Sequence, residues 1–327
     1  MKVFITGATG FLGKYIVDLL SQKGYDCIAF GRNQSIGESL VSDRVTFIKG
    51  DFTNYNEVLN AMDNIDFVIH AGALSTVWGS WKSFYDANIL GTENVLKASL
   101  EKKVKRFIFI SSPSIYASKK DRLNIKESEF DPKNKLNNYI RSKVMAEDLV
   151  HTYNQRGLYT VILRPRGIFG VGDTSIVPRL LAANDKSGIP LLNKGKNLVD
   201  ITYVENVAHA IYLSLIQEDI NNEVFNITND EPTAFKIILE KFFDAIGDTP
   251  RFKKIPFKVA YFLAFILEKV YRKEPPLTRY TVCTIGVNQT LDITHAKNKL
   301  GYQPIYTIDE GVKIYATWWK DNNHKNI

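Results

Sequence analysis

Tyr139 and Lys143 stand four residues apart in "NNYIRSKVMAE" (137–147), a stretch that reads as the start of a helix. Four residues is about one helical turn, so the phenol and the ammonium share one face. Such a pair can move a proton. An ammonium nearby favours phenolate and draws the tyrosine pKa down from about 10 toward the working range. Interconverting a ketone and an alcohol needs that proton group, with nicotinamide carrying the hydride. A YxxxK pair alone is common on helix surfaces, so its surroundings decide. Upstream, "SSPSIY" (111–116) follows an apolar strand and offers Ser111, Ser112 and Ser114 as hydroxyls to hold a substrate oxygen.

The second signal is "TGATGFLG", which sets Gly7, Gly10 and Gly13 between the first strand and the first helix. Glycines let the backbone turn sharply and come within contact distance of a pyrophosphate. The helix N-terminus then offers unpaired N–H groups and partial positive charge to that anion. Thr9, Phe11 and Leu12 belong to the same loop and are expected to touch the dinucleotide. At the end of the second strand an acid would bind the ribose hydroxyls of NAD. Here "AFGRN" has no acid and carries Arg32, which favours the 2′-phosphate of NADP, with NAD as the alternative cofactor.

The elements that must position these residues follow a strand–helix rhythm. Strands are predicted at 2–6, 26–30, 45–49, 66–70, 106–110 and 159–163, with helices at 11–24, 54–62, 81–102 and 138–156. Continuous apolar strands between helices indicate a parallel sheet covered on both faces, an α/β doubly wound Rossmann-type fold. After residue 165 the rhythm loosens into helices at 176–186, 204–217, 233–246, 257–272, 292–300 and 307–320, with short strands near 199–202 and 223–227. The expected division is a dinucleotide-binding domain over 1–165 joined by 198–225. A smaller substrate-binding cap is expected over 166–197 and 226–327. The polar stretch 117–137 reads as a loop beside Tyr139.

Composition narrows the classes. The chain of 327 residues is 45% hydrophobic and 24% charged, ordinary for a globular protein. Its net charge of +7 is scattered, with no basic block interleaved with aromatics, so nucleic acid is not an expected partner. Two cysteines, Cys27 and Cys283, support neither a disulfide framework nor zinc. The histidines His70, His151, His209, His295 and His324 lack ligand spacing, so no metal is expected. "MKVFITGATG" carries no signal peptide pattern, and a reducing cytoplasm fits. The apolar run "VAYFLAFILEKVY" (259–271) is read as a buried cap helix, with contact of 257–272 to a membrane surface as the alternative. A small apolar substrate and a homodimer are the expected partners.

In order along the chain, "TGATGFLG", "GDF" (50–52), "HAGA" (70–73), "NILGTENVL" (88–96), "SSPSIY", "YIRSK" (139–143) and "LRPRGIFG" (163–170) resemble the extended short-chain dehydrogenase/reductase family over most of the chain. The resemblance implies that Asp51 and Phe52 lie near the adenine and that Ala71, Gly72 and Ala73 line the cofactor channel. It further implies a structural Asn88, and Pro165 and Ile168 at the nicotinamide. Counting back from Tyr116 selects Ser112 beside Tyr139 and Lys143, although Ser111 and Ser114 stay open. Lys143 would also hold the nicotinamide ribose.

Within that family, nucleotide-sugar epimerases carry an asparagine where this chain has Gly167. They also carry an arginine where it has Val199, before Asp200. Valine cannot supply the bidentate fork that binds a diphosphate. Arg166 and Arg179 are the residues that could compensate, or could instead meet a substrate carboxylate. "VWGSW" (77–81), which contains Trp78, together with "NLVDITYVENVAHA" (197–210) and "EPPLTRY" (274–280), resembles the branch of 3β-hydroxysteroid dehydrogenases and 2-alkyl-3-oxoalkanoate reductases. The expected activity is NAD(P)-dependent interconversion of hydroxyl and ketone on a β-hydroxy or β-keto acid or a sterol-like molecule. Trp78, Ser114, Arg166 and Arg179 are its candidate substrate contacts. A nucleotide-sugar epimerase/dehydratase is the first alternative. The second is a non-catalytic cofactor-binding sensor, against which stands the presence of Ser112, Tyr139 and Lys143.

Overall fold

Seven apolar runs form the strands of one parallel sheet: β1 (Lys2–Thr6), β2 (Asp26–Gly31), β3 (Val45–Lys49), β4 (Phe67–His70), β5 (Arg106–Ile110), β6 (Thr160–Pro165) and β7 (Glu223–Ile227). The structure is a computed structural model and describes residues 1–323; His324 lies outside them. The strand order is β7-β6-β5-β4-β1-β2-β3. Val3 pairs with both Cys27 and Phe67, so β1 sits at the centre between β2 and β4. The winding reverses between β1 and β4, and ligands of open α/β sheets bind in the crevice at such a switch point.

Alternation along the strands serves two cores. Val3 and Ile5 face one side, with Ile16 and Leu20 of α1 (Phe11–Gln22) and Val207 and Ile211. Phe4 faces the other, with Phe30, Val58, Val95, Phe107 and Ile162. The second side is covered by α2 (Tyr55–Ala61), α3 (Gly91–Glu101) and α4 (Asn138–Gln155).

The C-terminal half adds α5 (Val177–Lys186), α6 (Val204–Ile216), α7 (Phe235–Ile246), α8 (Phe257–Val270), α9 (Arg279–Gly286) and α10 (Ile308–Asn323). A smaller core gathers Phe169, Leu191, Val199, Tyr203, Leu239, Phe242 and Tyr315.

Several expectations need correction. The helix predicted over 81–102 is interrupted: Trp81–Phe84 is α-helical, Tyr85–Leu90 widens into a π turn, and α3 begins at Gly91. Periodicity cannot register one extra residue in a turn, and π turns often mark functional positions. Residues 292–300 likewise end in a π segment, Ala296–Leu300.

The stretch 117–137 is not loop throughout. Arg122–Ile125 is a strand paired with Gln289–Leu291, in a four-stranded sheet completed by Leu198–Val199 and Thr233–Ala234. Its partner lies about 165 residues away, so no local pattern announces it.

The helix over 257–272 is not buried. Only Ala260 and Ala264 of α8 are fully covered, with Phe257 and Tyr261 partly buried beside them, while Val259, Phe262, Leu263, Phe265, Ile266 and Val270 are exposed. An all-round apolar pattern does not reveal which residues make the packing surface.

Among the described residues no helix is long and apolar enough to cross a membrane. None of their His, Cys, Asp or Glu side chains form a group of three placed to hold a metal.

Candidate active site

The glycine loop occupies the switch point. Gly7 has φ +71, and a Cβ there would lie 2.7 Å from the Gly72 nitrogen on the loop after β4. A Cβ on Gly13 would lie 2.1 Å from the Gly7 carbonyl oxygen. No side chain fits either place. Gly10 caps α1 without a side-chain hydrogen bond, so the first N–H groups of that helix stay open to an anion. The cradle therefore suits a pyrophosphate, with Thr9, Phe11 and Leu12 half-buried or partly exposed along it.

Arg32 is exposed at the end of β2, and its guanidinium lies 3.7 Å from Asp51. Asp51, just past the end of β3, is thus the acid nearest the Arg32 guanidinium. Asp51 also accepts from the Thr53 N–H and hydroxyl, both at 2.9 Å. Phe52 packs its ring against the Cα positions of both Gly72 and Gly91, where a Cβ would collide with it. Ala71 and Ala73 flank Gly72 at the mouth of the crevice, while Pro165 and Ile168 close the end of β6.

Helix α4 starts where the Asn137 side chain accepts from the Ile140 N–H at 2.8 Å. Its inward face presents Tyr139, Lys143 and Glu147 one turn apart. Lys143 is buried and donates to the Ile110 carbonyl at 2.8 Å, with its ammonium 4.4 Å from the Phe109 ring centre. Burial pulls its pKa down to about 8, with Glu147 opposing.

The phenol of Tyr139 behaves differently from the simple expectation. Burial pushes its pKa up, a hydrogen bond with Ser112 pulls it down, and Tyr280 pushes it up again. Lys143 is not what lowers it here, because its ammonium is directed to the Ile110 carbonyl at the strand end.

The three serines separate cleanly. Ser111 donates to Glu147, which also holds Arg164 in a buried bidentate pair at 3.0 and 2.6 Å. Arg164 continues to Tyr116 and the Glu127 carbonyl. Ser111 is thereby committed to structure. Ser112 instead faces Tyr139 and donates to Ser114 at 2.9 Å, and Ser114 meets the Tyr280 hydroxyl at 2.6 Å.

A single directional chain of hydrogen bonds runs beneath these groups. The Gly72 N–H donates to Thr6, whose hydroxyl meets His70 Nδ1 at 2.6 Å. His70 Nε2 lies 3.0 Å from Thr92, which donates to the Asn88 carbonyl. One tautomer satisfies every member, with the proton on Nε2 and Nδ1 accepting. Burial keeps the ring neutral, its pKa lowered to about 3.

On the cap side, a cleft of about 330 Å³ opens between the start of α4 and helices α8 and α9. Trp78, Asn137, Phe265, Thr278 and Tyr280 line it. Arg166 is buried behind Tyr280 and feels both that phenol and Asp200, while burial lowers its pKa. Among the described residues its guanidinium makes no side-chain hydrogen bond and no ion pair within 4.0 Å. Asp200 Oδ1 and both amide atoms of Gln289 are buried without partners. Burial raises the Asp200 pKa to about 6. Arg179 lies apart, in a surface pair with Glu274 at 3.0 Å. Gly167 sits at φ +55, and a Cβ there would lie 3.2 Å from the Asp200 carbonyl oxygen, a position suited to glycine.

Sequence reasoning missed Tyr280, Glu147, Arg164 and the orphaned Gln289. The Tyr139–Lys143–Glu147 spacing carried a signal for Glu147, since it continues one helical face. Tyr280 ends the segment "EPPLTRY", which carried the resemblance but did not single it out, because its place depends on how α9 packs over the cleft.

The sequence pattern described as the NAD dependent epimerase/dehydratase family matches residues 3–228. A 2-alkyl-3-oxoalkanoate reductase of Shewanella oneidensis is 32% identical over 95% of this chain and 84% of its own. The decarboxylating sterol-4-alpha-carboxylate 3-dehydrogenase of Mus musculus is 30% identical over 95% and 89%. Among solved structures, a UDP-glucuronic acid 4-epimerase from Bacillus cereus in complex with NAD superimposes with a TM-score of 0.80 at 22% identity. That superposition covers 98% of this chain and 99% of the epimerase, a likeness of fold.

Proposed function

The chain belongs to the NAD dependent epimerase/dehydratase family, and we propose that it interconverts a ketone and a hydroxyl on an apolar β-keto or β-hydroxy acid. The observation that carries this reading is the cluster on the cap side of Tyr139. A guanidinium, Arg166, is buried there with no counter-ion in contact, beside the phenol of Tyr280. Asp200 offsets this charge only from beyond contact distance, and a buried charge without a contacting partner is costly, so such a site favours an anionic ligand. A carboxylate two carbons from a reacting carbonyl meets that need and accounts for the tyrosine between. The reductase and sterol-carboxylate dehydrogenase relatives support the same substrate class.

In this reading Gly7, Gly10 and Gly13 take the cofactor pyrophosphate on the open end of α1. The nicotinamide, when bound, supplies or takes the hydride. Ser112 holds the substrate oxygen. Tyr139 gives that oxygen its proton, and the burial that raises its pKa keeps the proton in place until then. Lys143 keeps two ammonium protons beyond the one given to Ile110, and these bind the nicotinamide ribose. We read Arg32 as a partner for the 2′-phosphate of NADP, which would compete with Asp51 for its guanidinium. A homodimer working in the cytoplasm, over a cofactor domain 1–165 with 198–225 and a cap of the remainder, completes the proposal.

The experiment is a panel of β-keto acids, ketosteroids and UDP-sugars assayed for NADPH and NADH oxidation. Arg166→Met is run in parallel. Turnover of β-keto acids, with a rise in KM of about tenfold or more in the variant, supports the reading. Micromolar binding of UDP-sugars with no response to acids or steroids would replace it by the epimerase reading.

A further inference from the structure

Helix α8 is unlike every other helix of the molecule. Ala260 and Ala264, with Phe257 and Tyr261 beside them, pack it against Leu192 and Val282, and its far side is left bare. Val259, Phe262, Leu263, Ile266 and Val270 lie three or four residues apart in sequence, so they form one continuous stripe. Phe262 is 64% exposed and Val270 is 70% exposed. Contiguous apolar surface of this kind marks a contact site.

The charge around the stripe is equally uneven. Between Arg251 and Lys273 the chain carries seven Lys and Arg and a single acid, Glu268, which is paired with Arg279. That one segment holds +6 of the formal net charge of +7, so the excess charge is concentrated here and not scattered as the sequence reading expects. All seven basic residues are exposed. Lys258 and Lys269 project from the helix itself, while Lys253, Lys254, Arg272 and Lys273 bracket its ends.

We infer that α8 docks in the plane of an anionic lipid surface. An apolar helical stripe flanked by lysines is the pattern of an interfacial helix, with the stripe among the acyl chains and the ammonium groups at the headgroups. With fourteen residues it lies on a bilayer rather than crossing it. A second copy of this chain is the poorer occupant, because a two-fold contact would set one +6 segment against another.

The docking has a direct bearing on the cleft. Phe265 and Lys269, on the flank of the same helix, line its mouth together with Tyr280. A docked molecule therefore opens its substrate cleft at the lipid boundary, where an apolar acid is already dissolved. This last point rests on the proposed substrate class; the docking itself does not.

The test is flotation of the full chain with vesicles of phosphatidylcholine alone and of phosphatidylcholine with phosphatidylglycerol, at low and high salt. Binding to the anionic vesicles is expected, weakening with salt. Phe262→Ser with Ile266→Ser should lower the partition about tenfold or more. Lys253→Glu with Lys254→Glu should remove most of the preference for anionic lipid. Circular dichroism verifies that each variant is folded.

No binding to anionic vesicles, or binding indifferent to both variants, overturns the inference. So does a dimer in light scattering that the Phe262→Ser, Ile266→Ser change converts to monomer. Turnover of a short, water-soluble keto acid is measured on the same samples. If it persists while vesicle binding fails, only the docking falls.

Discussion

The Asn88 carboxamide donates to the Ser142 hydroxyl at 2.9 Å in the interior, and Ser142 donates in turn to the Tyr139 carbonyl at 2.8 Å. The same carboxamide also grips Leu74, accepting from its N–H at 2.7 Å and donating to its carbonyl at 3.0 Å. Asn88 sits in the π turn before α3, and the extra residue of that turn is what brings its side chain round to both partners. The loop after β4 and the helix bearing Tyr139 and Lys143 are thus locked through one side chain. The chain from Gly72 through Thr6, His70 and Thr92 reaches the same residue from the cofactor side.

Replacing Asn88 with Ala should therefore do two things. It leaves the Leu74 backbone groups unpaired, at about 1–3 kcal/mol for each buried group. It also frees the first turn of α4, so kcat should fall more than the stability loss alone would suggest. Urea unfolding and steady-state kinetics on one preparation check both. A variant that loses stability but keeps full kcat would show that the lock does not position Tyr139.

Tyr139→Phe keeps the ring and removes the proton. Turnover should drop by about 10²–10⁴, with cofactor binding nearly unchanged in a fluorescence titration. Lys143→Ala should weaken cofactor binding as well. Wild-type-like turnover by the Tyr139→Phe protein would end the proton-transfer assignment.

His70 gives a pH signature. Its folded pKa is depressed to about 3 from the ordinary 6.5, because burial disfavours the charged ring. A depressed value contributes stability that is fully present above the unfolded pKa and is lost as pH falls toward the folded one. Between about pH 6.5 and 3 unfolding takes up a proton at this site, a slope of up to about 1.4 kcal/mol per pH unit. NMR should find the ring neutral, with Nε2 protonated, at pH 5. An imidazolium signal at that pH would contradict the neutral chain of hydrogen bonds.

Arg32→Ala should weaken NADPH binding about tenfold and leave NADH little changed. Asp51→Asn, which removes the competing carboxylate, should strengthen NADPH binding. Equal affinities for the two cofactors in the unmutated protein would show that Arg32 does not read the 2′-phosphate.

The sequence was most legible where chemistry is local. Gly7, Gly10 and Gly13 declare a sharp turn in seven residues, and the apolar runs 2–6 and 106–110 could only be buried strands. Tyr139 and Lys143 declare a shared face by spacing alone. Legibility failed where a side chain answers to distant partners. Ser111, Ser112 and Ser114 look alike in sequence, and only the reach of Glu147 from α4 separates the structural hydroxyl from the other two. Arg166 and Arg179 were equal candidates, yet one is buried without an ion pair and the other is paired on the surface. The outward face of α8 was hidden because its aromatics divide, Phe257 and Tyr261 packing inward beside two alanines while Phe262 and Phe265 face out.

The strand Arg122–Ile125 pairs with Gln289–Leu291, and this has a bearing on how the protein comes into being. On a ribosome the glycine cradle and the Tyr139 helix emerge early, although α1 must wait for its packing partner α6. The edge at 122–125 stays open until residue 291 has been made, because no nearer segment pairs with it in the finished molecule. Pairing over so long a separation is entropically slow, and an unpaired edge invites other chains. The nascent protein thus passes through a stage with a formed nucleotide cradle and an unsealed flank. In that interval a dinucleotide in the medium would serve as a folding ligand, holding the first half of the chain in its native form while the second half arrives.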